Sequence, residues 1–129
     1  MEWISTCQAP LSEAAREGIA LFNRGEFFAA HEALEHAWMQ DATPGRALYQ
    51  GILQVAVAYL LIERGNYAGT LKMFRRAQRW LEPLPGHCRG VDVETLRQDA
   101  YQVQQTILGL GKERLKDFNR SLFRPVEVH

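Results

Sequence analysis

Along most of this chain apolar residues recur three and four positions apart, the period of an α-helix that buries one face. Leu11, Ala15, Ile19 and Phe22 make the first such stripe. Ser12 is placed to cap a helix running from Glu13 to about Asn23, and Gly25 suits the left-handed position that ends one. Phe27, Ala30, His31, Leu34 and Trp38 predict a second helix over about Glu26–Gln40, closed by Pro44 and Gly45. From Arg46 to Arg64 the chain is apolar nearly all round, with Leu48, Ile52, Leu53, Val55, Val57, Leu60, Leu61 and Ile62. Such a helix belongs at the centre of a bundle. Leu71, Phe74, Ala77 and Leu81 predict a fourth helix over about Asn66–Leu81. A Pro- and Gly-rich loop follows. Asp92 then caps a fifth helix, about Val93–Leu108, and a short sixth piece ends near Phe118. Residues 121–129 read as a loosely held tail, and no segment has the two-residue period of a strand.

Together these elements predict one all-α domain over residues 1–129, a bundle of five to six helices around a central apolar helix. Its N-terminal part has the form of tetratricopeptide-like helical hairpins. Asn23-Arg24-Gly25-Glu26-Phe27 is echoed forty residues on by Glu63-Arg64-Gly65-Asn66-Tyr67. The tetratricopeptide repeat is shorter, about 34 residues. A glycine stop followed by an aromatic anchor is also simply how compact hairpins are built, and that is the preferred reading.

Composition narrows the function classes. Lys plus Arg and Asp plus Glu both number 15, so the net charge is zero and a general polyanion binder is disfavoured. Cys7 and Cys88 lie in no CxxC pair and are expected as two free thiols of a reducing compartment. Met1-Glu2-Trp3-Ile4-Ser5 shows no signal-peptide pattern, and the apolar run Ile52–Ile62 is short for a bilayer span. A cytoplasmic protein without a membrane partner is expected. Trp3, Trp38 and Trp80 are expected as core or interface aromatics. Lys72, Arg75, Arg76 and Arg79, with Arg64 nearby, are expected to form a solvated basic face.

The candidate chemistry centres on His31, an imidazole on a face expected to be buried. Glu35 lies one turn on, Glu32 at the boundary of the face and Trp38 further along it. Gln50 and Gln54 are likewise one turn apart on the next helix, an antiparallel neighbour through a short connection. Tyr49 and Tyr59 could add hydroxyls. Three readings stay open: a closed polar network that fixes helix register, a small pocket for a ligand or for acid–base chemistry, and a divalent-metal site. The last uses His31 and Glu35, because His-Glu-x-x-Glu differs from a zincin motif at its final position. It needs a third ligand, for which His87-Cys88 is the remaining His/Cys pair.

Phe22-Asn23-Arg24-Gly25-Glu26-Phe27-Phe28, then His31-Glu32-x-x-Glu35-x-x-Trp38, then Tyr49-Gln50-Gly51-Ile52-Leu53-Gln54-Val55-Ala56, then Arg64-Gly65-Asn66-Tyr67 and Arg76-Ala77 follow one another in order. This series resembles the domain-of-unknown-function family 309 over about residues 11–84. The resemblance implies a compact all-α bundle with no established reaction. It carries Gly25, His31, Glu32, Glu35, Trp38, Gln50, Gly51 and Gln54 over as family-characteristic positions. The expectation is therefore a small helical protein with a polar His/Glu/Gln centre that binds a small molecule or a protein partner. Its alternatives are a metal-dependent hydrolase using His31, Glu32 and Glu35, and an interaction module or homodimer using exposed apolar surface around Trp80 or the tail.

Overall fold

Local capping chemistry sets where the helices begin and end. In the computed structural model, which describes residues 6–129, the Ser12 hydroxyl accepts from the Ala15 N–H and opens α1, Glu13–Asn23. Gly25 ends it with φ +80°. The Glu26 N–H reaches back to the Leu21 carbonyl and the Gly25 N–H to that of Phe22, both at 2.9 Å, which satisfies carbonyls the helix leaves open. The same arrangement recurs forty residues later. Gly65 has φ +73°, and the Asn66 and Gly65 N–H groups reach Leu61 and Ile62. Between these stops lie α2, Phe27–Gln40, a 3-10 turn at Pro44–Arg46, and α3, Ala47–Glu63. Asn66 caps α4, Tyr67–Leu81, and Asp92 caps α5, Val93–Leu110.

α3 packs against both α2 and α4, and α1 packs on α2. Its apolar girdle makes this arrangement favourable: Leu48, Ile52, Val55, Ala56 and Ala58 are wholly buried. Gly51 lets the Leu81 side chain close onto α3, where a Cβ would collide with it. The window Pro44–Glu63 reaches the length and mean hydropathy, 1.3, of a membrane span, yet 67% of it is buried within the protein's own core.

Three expectations are corrected and one is refined. First, residues 87–92 form a small antiparallel hairpin, β1 (His87–Cys88) with β2 (Val91–Asp92). Its turn residues Arg89 and Gly90 both have positive φ, the requirement of a tight hairpin turn. Second, the sixth piece does end near Phe118 as expected, and what is added is its form, a 3-10 helix over Lys112–Asp117. Third, the tail is held. The Asn23 amide bonds both the N–H and the carbonyl of Val126, the His129 N–H reaches Gly90, and Phe123 stacks on Tyr59 at 4.4 Å. Fourth, Cys7 and Cys88 are joined in a disulfide. Closing a loop with this separation of 81 residues stabilises by roughly 4 to 5 kcal/mol in the chain-entropy account. The expectations for Trp3 and the other residues of 1–5 lie outside the described residues.

Beside the bridge, Arg89 is buried and donates to four acceptors: the Thr6 carbonyl, the Asp41 carboxylate, the Tyr49 hydroxyl and the Thr43 hydroxyl. It thereby joins the N-terminal segment, the α2–α3 connection, α3 and the hairpin. Gly45 leaves room for the guanidinium, where a Cβ would collide with it.

Candidate functional site

On α2 the buried stripe is Phe27, Ala30, Leu34 and Ala37, which places His31 at its edge. The imidazole is 30% exposed and meets Glu35, itself 52% exposed, at 3.3 Å. Glu32 is exposed. The expected sealed histidine is thus an i,i+4 contact on the surface flank of the helix.

Gln50 and Gln54 do turn inward, but the network expected around them does not close. The side-chain oxygen of each is buried and has no protein partner. The tyrosines do not reach them either. The Tyr49 hydroxyl is taken by Arg89 and by the Ser12 N–H. Tyr59 lies among Phe22, Phe27, Phe74 and Phe123 with its hydroxyl unpartnered. Burial, with a smaller contribution from the negative charge of Asp99, pushes the Tyr59 hydroxyl pKa far above its ordinary value.

What the two glutamines do share is a cleft. With Arg76, Arg79 and Trp80 of α4 they line an open depression of about 510 Å³. Trp38 adjoins it, because its ring meets Trp80 edge-on at 6.4 Å, and Arg46 lies over the Trp38 ring, 4.4 Å from its centre. The Trp38 indole N–H is also buried without a protein partner. Among the described residues four buried side-chain polar atoms lack a partner, and three of them lie on or beside this cleft. Native proteins keep few such atoms, so their concentration here marks the place.

The six residues expected at the site therefore divide. Gln50 and Gln54 line the cleft and Trp38 stands behind its aromatic wall, whereas His31, Glu32 and Glu35 are not among its lining. Arg76 and Arg79 were expected as a solvated face and Trp80 as a core or interface aromatic; sequence reasoning assigned none of the three to the polar cluster. The signal for them was charge asymmetry. In a chain of zero net charge, α4 carries Lys72, Arg75, Arg76 and Arg79 and no carboxylate. For a metal the donors fall short. Among the described residues no three His, Cys, Asp or Glu side chains come together, and Cys88 is spent in its disulfide. A second cleft, of about 430 Å³, lies between α4 and α5, and there Gln78 donates to Gln104 at 3.1 Å.

Residues 15–73 match the family model described as "Domain of unknown function (DUF309)". An uncharacterized protein of Aquifex aeolicus (strain VF5) is 25% identical over 87 residues, 67% of this chain and 26% of that relative. The chain thus spans about a quarter of that relative's length. The matched segment contains both cleft glutamines and ends before Arg76, Arg79 and Trp80.

Proposed function

With residues 15–73 matching the DUF309 family model, we propose that the chain acts by binding a ligand in the Gln50–Gln54 cleft rather than by turnover there. One observation carries the reading: two glutamines that line an open cleft keep their amide oxygens buried and without protein partners. A stranded polar group costs roughly 1–3 kcal/mol. A fold that bears this cost twice beside two unpaired guanidiniums has the makings of a binding site, since stability is commonly given up where function needs it. Nothing comparable supports the hydrolase, whose His31–Glu35 pair has no third ligand among the described residues. No membrane or nucleic-acid partner is invoked. A cytoplasmic location remains part of the proposal, with the Cys7–Cys88 bridge as its counterweight, because disulfides persist chiefly in oxidising compartments.

The test is equilibrium unfolding of the double variant Gln50→Leu/Gln54→Leu, which keeps the side-chain volume and removes the amides. Its stability should rise by about 1–3 kcal/mol over the unsubstituted protein. A fall of more than about 1 kcal/mol would mean that the amides support the fold, and would overturn the reading.

A further inference from the structure

The cleft offers a pattern, and the pattern has a pitch. Gln50 and Gln54 lie four residues apart on α3, so their amides repeat at about 6 Å along it. In an extended peptide the N–H groups of one edge recur every second residue, at about 6.5 Å. Two consecutive same-side N–H groups therefore match the spacing of the two glutamines, whose buried oxygens turn into the cleft by side-chain rotation when it is occupied. Each side-chain amide also carries an NH2 that can donate to a peptide carbonyl, and the Trp38 indole adds a further unpartnered donor next door.

The charges are laid out along the same line. α4 runs antiparallel to α3, and its level is set where Leu81 packs over Gly51. Trp80, Arg79 and Arg76, the last one turn before Trp80 on α4, line the same cleft as Gln50 and Gln54. Neither Arg76 nor Arg79 makes an ion pair among the described residues, and no acidic side chain interrupts α4. A free phosphate would answer the guanidiniums but offers no row of donors to the two oxygens. Accepting the cleft reading above, we infer that its occupant is an extended acidic peptide segment of a partner protein. Its backbone N–H groups donate to Gln50 and Gln54, and its carboxylates accept from Arg76 and Arg79.

The probe is a fluorescein-labelled, C-terminally amidated heptapeptide of alternating Glu and Gly, followed by fluorescence anisotropy with the full chain. Affinity should fall about tenfold or more with Gln in place of Glu, with methylated backbone N–H groups, and in the variants Arg76→Ala/Arg79→Ala and Gln50→Leu/Gln54→Leu. Arg114→Ala, on the remote 3-10 turn, should leave it unchanged. Circular dichroism and thermal melts confirm that each variant is folded. The inference is overturned by equal binding of the neutral or the methylated peptide, by displacement of the peptide with millimolar inorganic phosphate, or by no binding at millimolar peptide. If the peptide fails while Gln50→Leu/Gln54→Leu gains stability, the cleft remains a ligand site and only the peptide is rejected. If that variant loses stability, both readings fall.

Discussion

At position 89 a guanidinium sits with its side chain only 3% exposed. Removing such a charge from water costs several kcal/mol, so it persists only where hydrogen bonds and an opposite charge offset the loss. Asp41 supplies that charge. Burial pushes its carboxyl upward, but the hydrogen bonds from Thr43 and Arg89 and the positive charge of Arg89 outweigh burial and hold it below the ordinary 3.8. A lowered carboxyl stabilises the fold in full above its unfolded pKa and loses that contribution as pH falls through the folded one. Asp99 runs the other way. Burial raises it, Arg124 opposes, and Glu127 and Asp92 raise it further. The difference between the parent and Asp41→Asn isolates the first effect from the second. We expect urea unfolding to show Asp41→Asn less stable by about 2–3 kcal/mol from pH 8 to pH 5, with the gap closing below pH 4. A gap that ignores pH would dissociate Asp41 from the Arg89 cluster. Of these residues the sequence made Gln50 and Gln54 legible, because two amides one turn apart on an apolar helix stand out. It misplaced His31, because a helical wheel built on small apolar residues does not say which of two adjoining stripes meets the neighbours. Arg89 was invisible, since its partners come from positions 6, 41, 43 and 49.

At the scale of elements, what was readable is what is local. The stripes, the Ser12, Asn66 and Asp92 caps and the paired glycine stops at 25 and 65 each depend on residues within a turn or two. The forty-residue echo is more than a resemblance of letters, because the same two backbone hydrogen bonds end α1 and α3. The tail was misread for the opposite reason. Short of helical periodicity, it is held by Asn23, Tyr59 and Gly90, all distant in sequence. Phe123 is its main apolar anchor, in ring contact with Phe27, Tyr59 and Phe118. Phe123→Ala should cost roughly 2–4 kcal/mol in denaturant unfolding, somewhat less than a fully buried phenylalanine because the ring is partly exposed. A cost below about 0.5 kcal/mol would mean that the tail contributes nothing to the fold.

For the whole molecule, the central helix was legible and the closure around it was not. α3 announces itself by being apolar on every side. The cleft beside it needs α4 in register, which follows from Leu81 closing over Gly51, a contact that no periodicity encodes. The Cys7–Cys88 bridge has a mechanical corollary. Residues 8–87, and with them α1 to α4, form a covalent loop that lies outside the line of tension when the chain is pulled by its ends. Optical tweezers should peel the tail and α5 and then stall at a contour of roughly 170 Å, the reach of the 49 residues outside the loop. A reductant should release the stored slack and lengthen the tether to roughly 450 Å.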